Sequence, residues 1–497
     1  SNLTLNLGLR WDIDTPRTER YNRTNYFDPN APTPAAQAIP GLTGGLVFVG
    51  VDGRPRTQFP ADTNNWAPRF GLSWQLLPKT VFRAGYAILY GPSQQAAAGT
   101  IGTMGFRTDN TWVATLDGIT PNTYLRDPYP NGFAPTLGSQ LGTMTQFGNR
   151  IEATTRDIVS PHSQQLNVNI QRDLPGNTVL EVAYVMTRGF HLHRNDEGGL
   201  SLNQLDPKHM ALGSRLIEQV DNPFYGRFSG GVLSGRRVSR AQLLRPYPQF
   251  TDIIPIYSVG ARNWYDSLQV TGNKRFSHGL QFQAAYTWAK NLDEGMAHQN
   301  SYDIRASKAL SDIDVAHRFI IGYVYELPWG RGRHWGRGWP RALDLALGSW
   351  QVNGITTFQT GTPIQITASN TAGIFNLVTR PNNNGRSAKL HGPVHERLNK
   401  YFDTSVFSQP LPYTFGNVSP RLPDVRNDGV RNFDISLFKD FMFTERLRLQ
   451  FRTEALNAFN TPRFGTPANN VTSGTVGVIS SQANAPRQIQ FGLKLIF

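Results

Sequence analysis

Arg487-Gln488-Ile489-Gln490-Phe491-Gly492-Leu493-Lys494-Leu495-Ile496-Phe497 is the stretch that decides the fold. Ile489, Phe491, Leu493, Leu495 and Phe497 fall on every second position, with Gln488, Gln490, Gly492, Lys494 and Ile496 between them. Successive side chains of a strand point to opposite faces. One face is therefore an apolar, aromatic stripe and the other is mostly polar. Termini usually fray, and a water-soluble protein rarely finishes on so apolar a strand. A strand with one face in lipid and the other in a polar lumen carries this pattern.

The same alternation recurs upstream. Leu3, Leu5, Leu7, Leu9, Trp11 and Ile13 alternate with Thr4, Asn6, Gly8, Arg10, Asp12 and Asp14. Twelve strands are predicted, at 3–14, 66–76, 80–90, 164–173, 178–188, 264–276, 280–291, 317–327, 349–360, 430–441, 446–459 and 487–497. Each is near the ~9–11 residues that a tilted membrane strand needs. Long connections (15–65, 91–163, 189–263, 292–316, 361–429 and 460–486) alternate with shorter ones (77–79, 174–177, 277–279, 328–348 and 442–445). The long ones show no sustained period. In a compact soluble domain such loops count against the assignment, and a β-sandwich or propeller predicts frequent turns on both sides. Short periplasmic turns and long extracellular loops are the arrangement of a transmembrane barrel. Trp11, Trp66, Tyr90, Trp264, Trp288, Trp350 and Phe459 sit near strand ends, where aromatic girdles belong. The predicted fold is all-β, an antiparallel transmembrane β-barrel with about 12 strands in this chain.

Composition agrees with this and narrows the function. Hydrophobic residues make up 39% of the 497 residues and mean hydropathy is −0.39. No run approaches the ~20 apolar residues of a membrane helix, but a barrel hides its apolar residues by alternation. Cysteine is absent, which leaves no disulfides and no thiolate metal ligands. The net charge of +14 would suit nucleic acid on a soluble protein. Here the arginines are scattered over loops and polar strand faces, so no nucleic-acid partner is expected. The chain opens Ser-Asn-Leu, without an initiator Met or a signal peptide, and is read as a mature or internal fragment.

Several segments resemble the carboxy-terminal barrel of the Oar-like TonB-dependent receptors of the bacterial outer membrane. They include Asn6-Leu7-Gly8-Leu9-Arg10-Trp11-Asp12, Trp66-Ala67-Pro68-Arg69-Phe70-Gly71, Tyr265-Asp266-Ser267-Leu268-Gln269 and Lys274-Arg275-Phe276-Ser277. Tyr286-Thr287-Trp288-Ala289-Lys290, His317-Arg318-Phe319, Tyr325-Glu326-Leu327-Pro328-Trp329-Gly330 and Asn457-Ala458-Phe459-Asn460 continue the series to the closing strand. Their order along nearly the whole chain carries the resemblance. It implies a 22-stranded barrel with a plugged lumen, an amino-terminal plug and a box gripped by TonB. Nothing in this chain resembles the plug or the box. Residues 1–497 are therefore read as an incomplete outer-membrane β-barrel domain, the carboxy-terminal part of a longer receptor.

The implied function is capture of an unknown solute by extracellular loops and its energised uptake. The implied partners are outer-membrane lipid and lipopolysaccharide, the barrel-assembly machinery, and the TonB complex through regions outside this chain. The terminal stripe of Ile489, Phe491, Leu493, Leu495 and Phe497 resembles the assembly signal of such barrels. The alternatives are an adhesion or interaction protein, and a stand-alone twelve-stranded pore or hydrolase.

Arg10, Asp12, Arg69, Arg83, Glu181, Arg318, Glu326, Arg448, Arg452, Glu454 and Lys494 are the lumen-facing candidates, because they fall on polar strand faces. The simpler reading is that each pairs with a neighbour or hydrates in a wet interior. Charges on the lipid face would cost about 2–4 kcal/mol at the midplane, and the stripes carry almost none. His191-Leu192-His193 would place two imidazoles on one side of a strand, but lacks a third ligand. The Arg331–Arg341 segment mixes cations with Trp and suits an anionic membrane interface. No grouping has the context of a catalytic site, and no cofactor, metal or enzymatic activity is expected.

Overall fold

Alternation along the chain becomes a single antiparallel sheet. In the computed structural model, which describes residues 2–93, 102–194, 200–228, 230–295, 298–370, 378–444 and 447–497, twelve long strands pair in chain order. They are β1 (Leu3–Asp14), β2 (Asp62–Leu77), β3 (Thr80–Tyr90), β4 (His162–Leu174), β5 (Thr178–His193) and β6 (Val259–Ser277), followed by β7 (Leu280–Glu294), β8 (His317–Glu326), β9 (Trp350–Gln359), β10 (Val430–Met442), β11 (Arg448–Leu456) and β12 (Gln488–Ile496). A two-residue strand, Ala309–Leu310, adds to β7. Among the described residues β1 pairs only with β2, and β12 only with β11, which leaves two open edges.

Register carries one face across all twelve strands. Leu3, Trp74, Phe82, Ile170, Val182, Val270, Tyr286, Phe319 and Phe358 stand opposite one another in turn from β1 to β9. Val352, Leu437, Thr453 and Phe491 extend this face from β9 to β12. A one-residue slip in the middle of any pair would turn every later strand inside out; the register shifts that do occur are confined to strand ends, at Asp12/Asp14, Gln75/Leu77, Val259–Asn263 and Lys274/Ser277. The stripe is left uncovered: Leu7 is 78% exposed and Leu493 is 70% exposed. An apolar surface of this extent marks a contact with lipid or protein.

Several strands outrun their predicted ends on the loop side, whereas β9 stops at Gln359 rather than 360 and β11 at Leu456 rather than 459. β2 begins at Asp62, β5 continues to His193 and β6 begins at Val259, because pairing persists through bulges near Ala261. Three turns are tighter than predicted, while the β8–β9 connection, 327–349, is slightly longer. Leu77 pairs with Thr80, which leaves only Pro78-Lys79. Ser277 pairs with Leu280 around His278 (φ 54°) and Gly279 (φ 78°). Two consecutive positive φ values form the type I′ turn that matches strand twist. The predicted turn at 442–445 and strand start at 446 fall partly on residues outside the described set.

The long connections are not structureless, contrary to the sequence reading. They hold five apolar clusters among the described residues, two of them large, at one end of the sheet. In the first, the hairpin Asn25–Pro32 and Thr43–Phe48 packs Phe27 and Phe48 against Phe147, Ile151, Phe224 and Phe250. Phe27 meets Tyr247 edge-on at 5.0 Å, and Phe147 meets Phe250 at 5.4 Å. The first three long connections thus share one core through their described residues. In the second, Ile364, Phe402, Val406, Leu422 and Val425 of the β9–β10 connection pack with Ile479 of the β11–β12 connection. The segment after β7 joins the two lobes. Gln204 Nε2 donates to Asn300 Oδ1 (2.8 Å), and Gln299 Nε2 donates to the Gly416 carbonyl (2.6 Å).

Candidate functional site: the polar face and its mouth

Arg10, Asp12, Arg69, Arg83, Glu181, Arg318, Glu326, Arg448, Arg452, Glu454 and Lys494 all fall on the face opposite the apolar stripe. The structure does not gather them into one site. Arg10 Nε donates to Asp12 Oδ1 at 2.7 Å, and Arg83 Nη1 donates to Gln171 Oε1 at 2.8 Å. Glu326 accepts from Arg333 of the following turn at 2.8 Å. Near the other edge, Arg448 lies 3.5 Å from Asp440. Arg452 donates to Gln450 at 2.6 Å and lies over the Phe438 ring at 4.7 Å. Lys494 stands opposite Gln450, and Glu454 opposite Gln490. Arg69 stands opposite Gly8 and Ala87, and Glu181 opposite Gln171 and Thr271.

Between these groups the polar face is rich in amides, with Glu181 standing between Gln171 and Thr271. β4 presents Gln165, Asn167, Asn169 and Gln171, and β6 presents Asn263, Gln269, Thr271 and Asn273. At the loop end of this wall a cavity of about 500 Å³ is lined by Asn263, Tyr265, Gln269, Thr287, Asn291 and Gln359. Arg318 and Asp314 also line it. Of the eleven sequence candidates, only Arg318 belongs to this cavity. Its neutral members escaped a search keyed to charge. The readable signal was Asn, Gln and Thr on alternate positions of neighbouring strands.

The apolar face does carry charges, contrary to the expectation that it has almost none, and they sit at strand ends. Arg188, Asp266 and Lys290 lie toward the loops; Arg172, Lys274 and Lys439 lie toward the turns. Lys274 reaches back to the Gly176 carbonyl (2.6 Å) and Ser277 Oγ (2.9 Å), placing its ammonium at the turn while its stem covers apolar surface. Lys439 is buried, donates to the Gly348 carbonyl, and lies 5.9 Å from the Trp350 ring centroid. A second cavity of about 590 Å³ borders this face, where Leu268, Trp288, Leu292 and Leu310 meet Lys290 and Arg421.

The two histidines of His191-Leu192-His193 do not share a side. His191 adopts φ 51°, which breaks the alternation. Its ring packs on His162 at 5.4 Å, while that of His193 packs on Tyr257 at 5.2 Å. Among the described residues no three His, Asp or Glu side chains cluster where a metal ion could sit. The Arg331–Arg341 segment folds against a short helix, Arg341–Leu347, with the Arg331 amide donating to Asp344 Oδ1 at 2.7 Å.

Among solved structures the chain is similar to the outer-membrane transporter YddB from Escherichia coli (12% identity, 91% of this chain, 42% of that one, TM-score 0.40). It is also similar to the ferric-catecholate import receptor Fiu from E. coli K12 (11% identity, 99% and 42%, TM-score 0.37) and to the pyoverdine receptor FpvA from Pseudomonas aeruginosa (11% identity, 90% and 38%, TM-score 0.37). The chain thus spans about two fifths of the length of these proteins. No curated protein matches it by sequence. The family model for the outer membrane beta barrel domain matches residues 1–490. With twelve antiparallel strands, one apolar face that carries charge toward its strand ends and this family match, the chain belongs to the outer membrane beta-barrel domain family and resides in the bacterial outer membrane.

Proposed function

We propose that this chain is the carboxy-terminal wall and loop cap of an Oar-like TonB-dependent receptor, which captures a solute outside the cell and takes it up with energy delivered through TonB. The supporting observation is the division of labour in the sheet: one face is apolar across all twelve strands, the other is polar, and the long connections fold into a cap at one end. In this reading the polar face is the lumen. The eleven charged candidates line it, eight of them on the outer strands and Glu181, Arg318 and Glu326 nearer its middle, and the cap is the capture surface. The open edges of β1 and β12 are closed by further strands of a longer barrel that also carries a plug. Residues 1–497 form part of its barrel domain and perform no catalysis. Ile489, Phe491, Leu493, Leu495 and Phe497 serve as the assembly signal.

The test is the intact mass of the protein in isolated outer membranes, together with its retention on the periplasmic domain of TonB. A chain well above 55.4 kDa that TonB retains supports the reading. A 55.4 kDa chain that ignores TonB and conducts ions in planar bilayers overturns it in favour of a stand-alone pore.

A further inference from the structure

We infer that the cavity at the mouth of the polar face binds a neutral, polyhydroxylated ligand, a segment of an uncharged saccharide. This rests on the reading of that face as a lumen and goes beyond it by naming the chemical class of the solute. The argument begins with the lining. Asn263, Gln269, Asn291 and Gln359 carry side-chain amides, and Thr287 carries a hydroxyl. Every one of these groups both donates and accepts hydrogen bonds. A sugar hydroxyl also does both, so such a wall meets a polyol in many orientations without a mismatch.

Unmet hydrogen-bonding capacity is the second observation. The amide oxygens of Asn263 and Asn291 are buried and have no hydrogen-bond partner among the described residues. Leaving such an atom unpaired is costly, which is why native structures rarely do so. The two residues stand on adjacent strands, with Asn291 directly opposite Tyr265, two positions along from Asn263. Diagonal neighbours of this kind lie about 7–8 Å apart, within the span of hydroxyls on a small oligosaccharide. Both oxygens are enclosed in the free protein, so hydroxyl donors reach them once the amide side chains rotate toward the cavity.

Charge argues against polyanionic ligands. Asp314 of the lining is already held by Arg426 (Nη2 to Oδ2, 2.5 Å) and by the Asn291 backbone amide (2.6 Å), which leaves Arg318 as the single cation of the lining. A phosphate, a polycarboxylate or an anionic metal chelate would need an excess of cations to replace its hydration. Tyr265 offers a ring face for the C–H surface of a pyranose, leaving its hydroxyl for the wet side. The cavity, at about 500 Å³, lies within the roughly 300–1,000 Å³ range of ligand sites. Below it, Asn167 and Asn169 of β4 with Thr271 and Asn273 of β6 continue the amide and hydroxyl chemistry toward the turns, with Glu181 of β5 between them. A sugar can therefore exchange one hydrogen bond for the next as it moves down the wall.

The experiment is isothermal titration of the full protein, purified from outer membranes, with maltohexaose, cellohexaose and xylohexaose, and with ferric citrate as the anionic probe. Wild type is compared with Asn291→Leu, Thr287→Val and, on the same face but remote from the cavity, Ser73→Ala; heat-modifiable migration confirms that each variant is folded. At least one hexasaccharide should bind, and each cavity variant should weaken it roughly tenfold, about 1.4 kcal/mol, while Ser73→Ala leaves it unchanged. Absence of binding by all three sugars, or equal affinity in the cavity variants, overturns the inference. Binding of ferric citrate alone also overturns it, yet leaves TonB-dependent uptake intact. Sugar binding by a protein that TonB does not retain would uphold the site and sink the uptake reading.

Discussion

Arg188 and Asp266 lock together on the apolar face. Arg188 Nη2 lies 2.8 Å from one carboxylate oxygen of Asp266 and 2.9 Å from the other, and the Tyr184 hydroxyl donates to the first at 2.5 Å. Asp266 marks the loop-side limit of the uncharged band on β6, and Lys274 marks its turn-side limit. The intervening rise is about 27 Å of strand. A tilt of roughly 40° reduces it to about 21 Å, close to the ~25 Å apolar band of an outer-membrane barrel. The pair therefore sits at the outer edge of the lipid, where a paired charge is tolerated.

Charge should be penalised by face and depth. Val270 lies midway between Asp266 and Lys274 on the apolar face, and its neighbour Thr271 lies on the polar one. Val270→Arg is expected to cost about 2–4 kcal/mol, and Thr271→Arg less than about 1 kcal/mol. Urea unfolding in lipid vesicles reads both. Equal costs would mean that the apolar face does not meet lipid.

Breaking the boundary pair should cost little, because its residues are partly exposed. Asp266→Ala is expected to destabilise by about 1 kcal/mol. Replacing Arg188 by leucine as well should recover most of that loss, since the unpaired guanidinium is then gone. A double-mutant cycle in vesicles measures the coupling.

The cap should fail independently of the sheet. Phe250 is fully buried in the first lobe, among Phe27, Phe147 and Ile253. Phe250→Ala should cost about 3–5 kcal/mol and open residues 15–61, 91–161 and 194–258 to protease. Heat-modifiable migration, which reports the sheet, should persist. Joint loss of both would show that cap and sheet fold as one unit.

Acid should loosen the junction of the lobes. Burial, aided by the nearby Arg194 and Arg380, pushes the pKa of His298 down to about 4. The folded state thus prefers the neutral ring. Its stabilisation is complete above the unfolded value near 6.5 and is lost as pH falls from there through about 4. The full effect is on the order of 3 kcal/mol. Protease sensitivity of residues 298–310 should rise over that interval in wild type. In His298→Gln it should be independent of pH.

The strands were legible because their signal is local. Leu3 to Ile13 and Ile489 to Leu495 carry their period within one segment, and the lipid demands it of each strand separately. Register follows from the same demand, since Leu3 can face Trp74 only if both face lipid. The eleven charged candidates were visible for the same reason, by parity alone. The cap was not legible. Phe27, Phe147 and Phe250 lie in three different connections, and none belongs to a periodic run. Only their meeting in space makes them a core.

The mouth cavity was hidden in another way. Asn263, Thr287, Asn291 and Gln359 are ordinary residues of a wet strand face, and their separations in sequence show no motif. By itself the sequence determined which side chains meet lipid and which way each strand faces, because alternation is a property of the extended backbone. Tertiary structure decided which polar residues share a cavity and which loops share a core, because those contacts depend on strand register and on the packing of chain segments far apart in sequence.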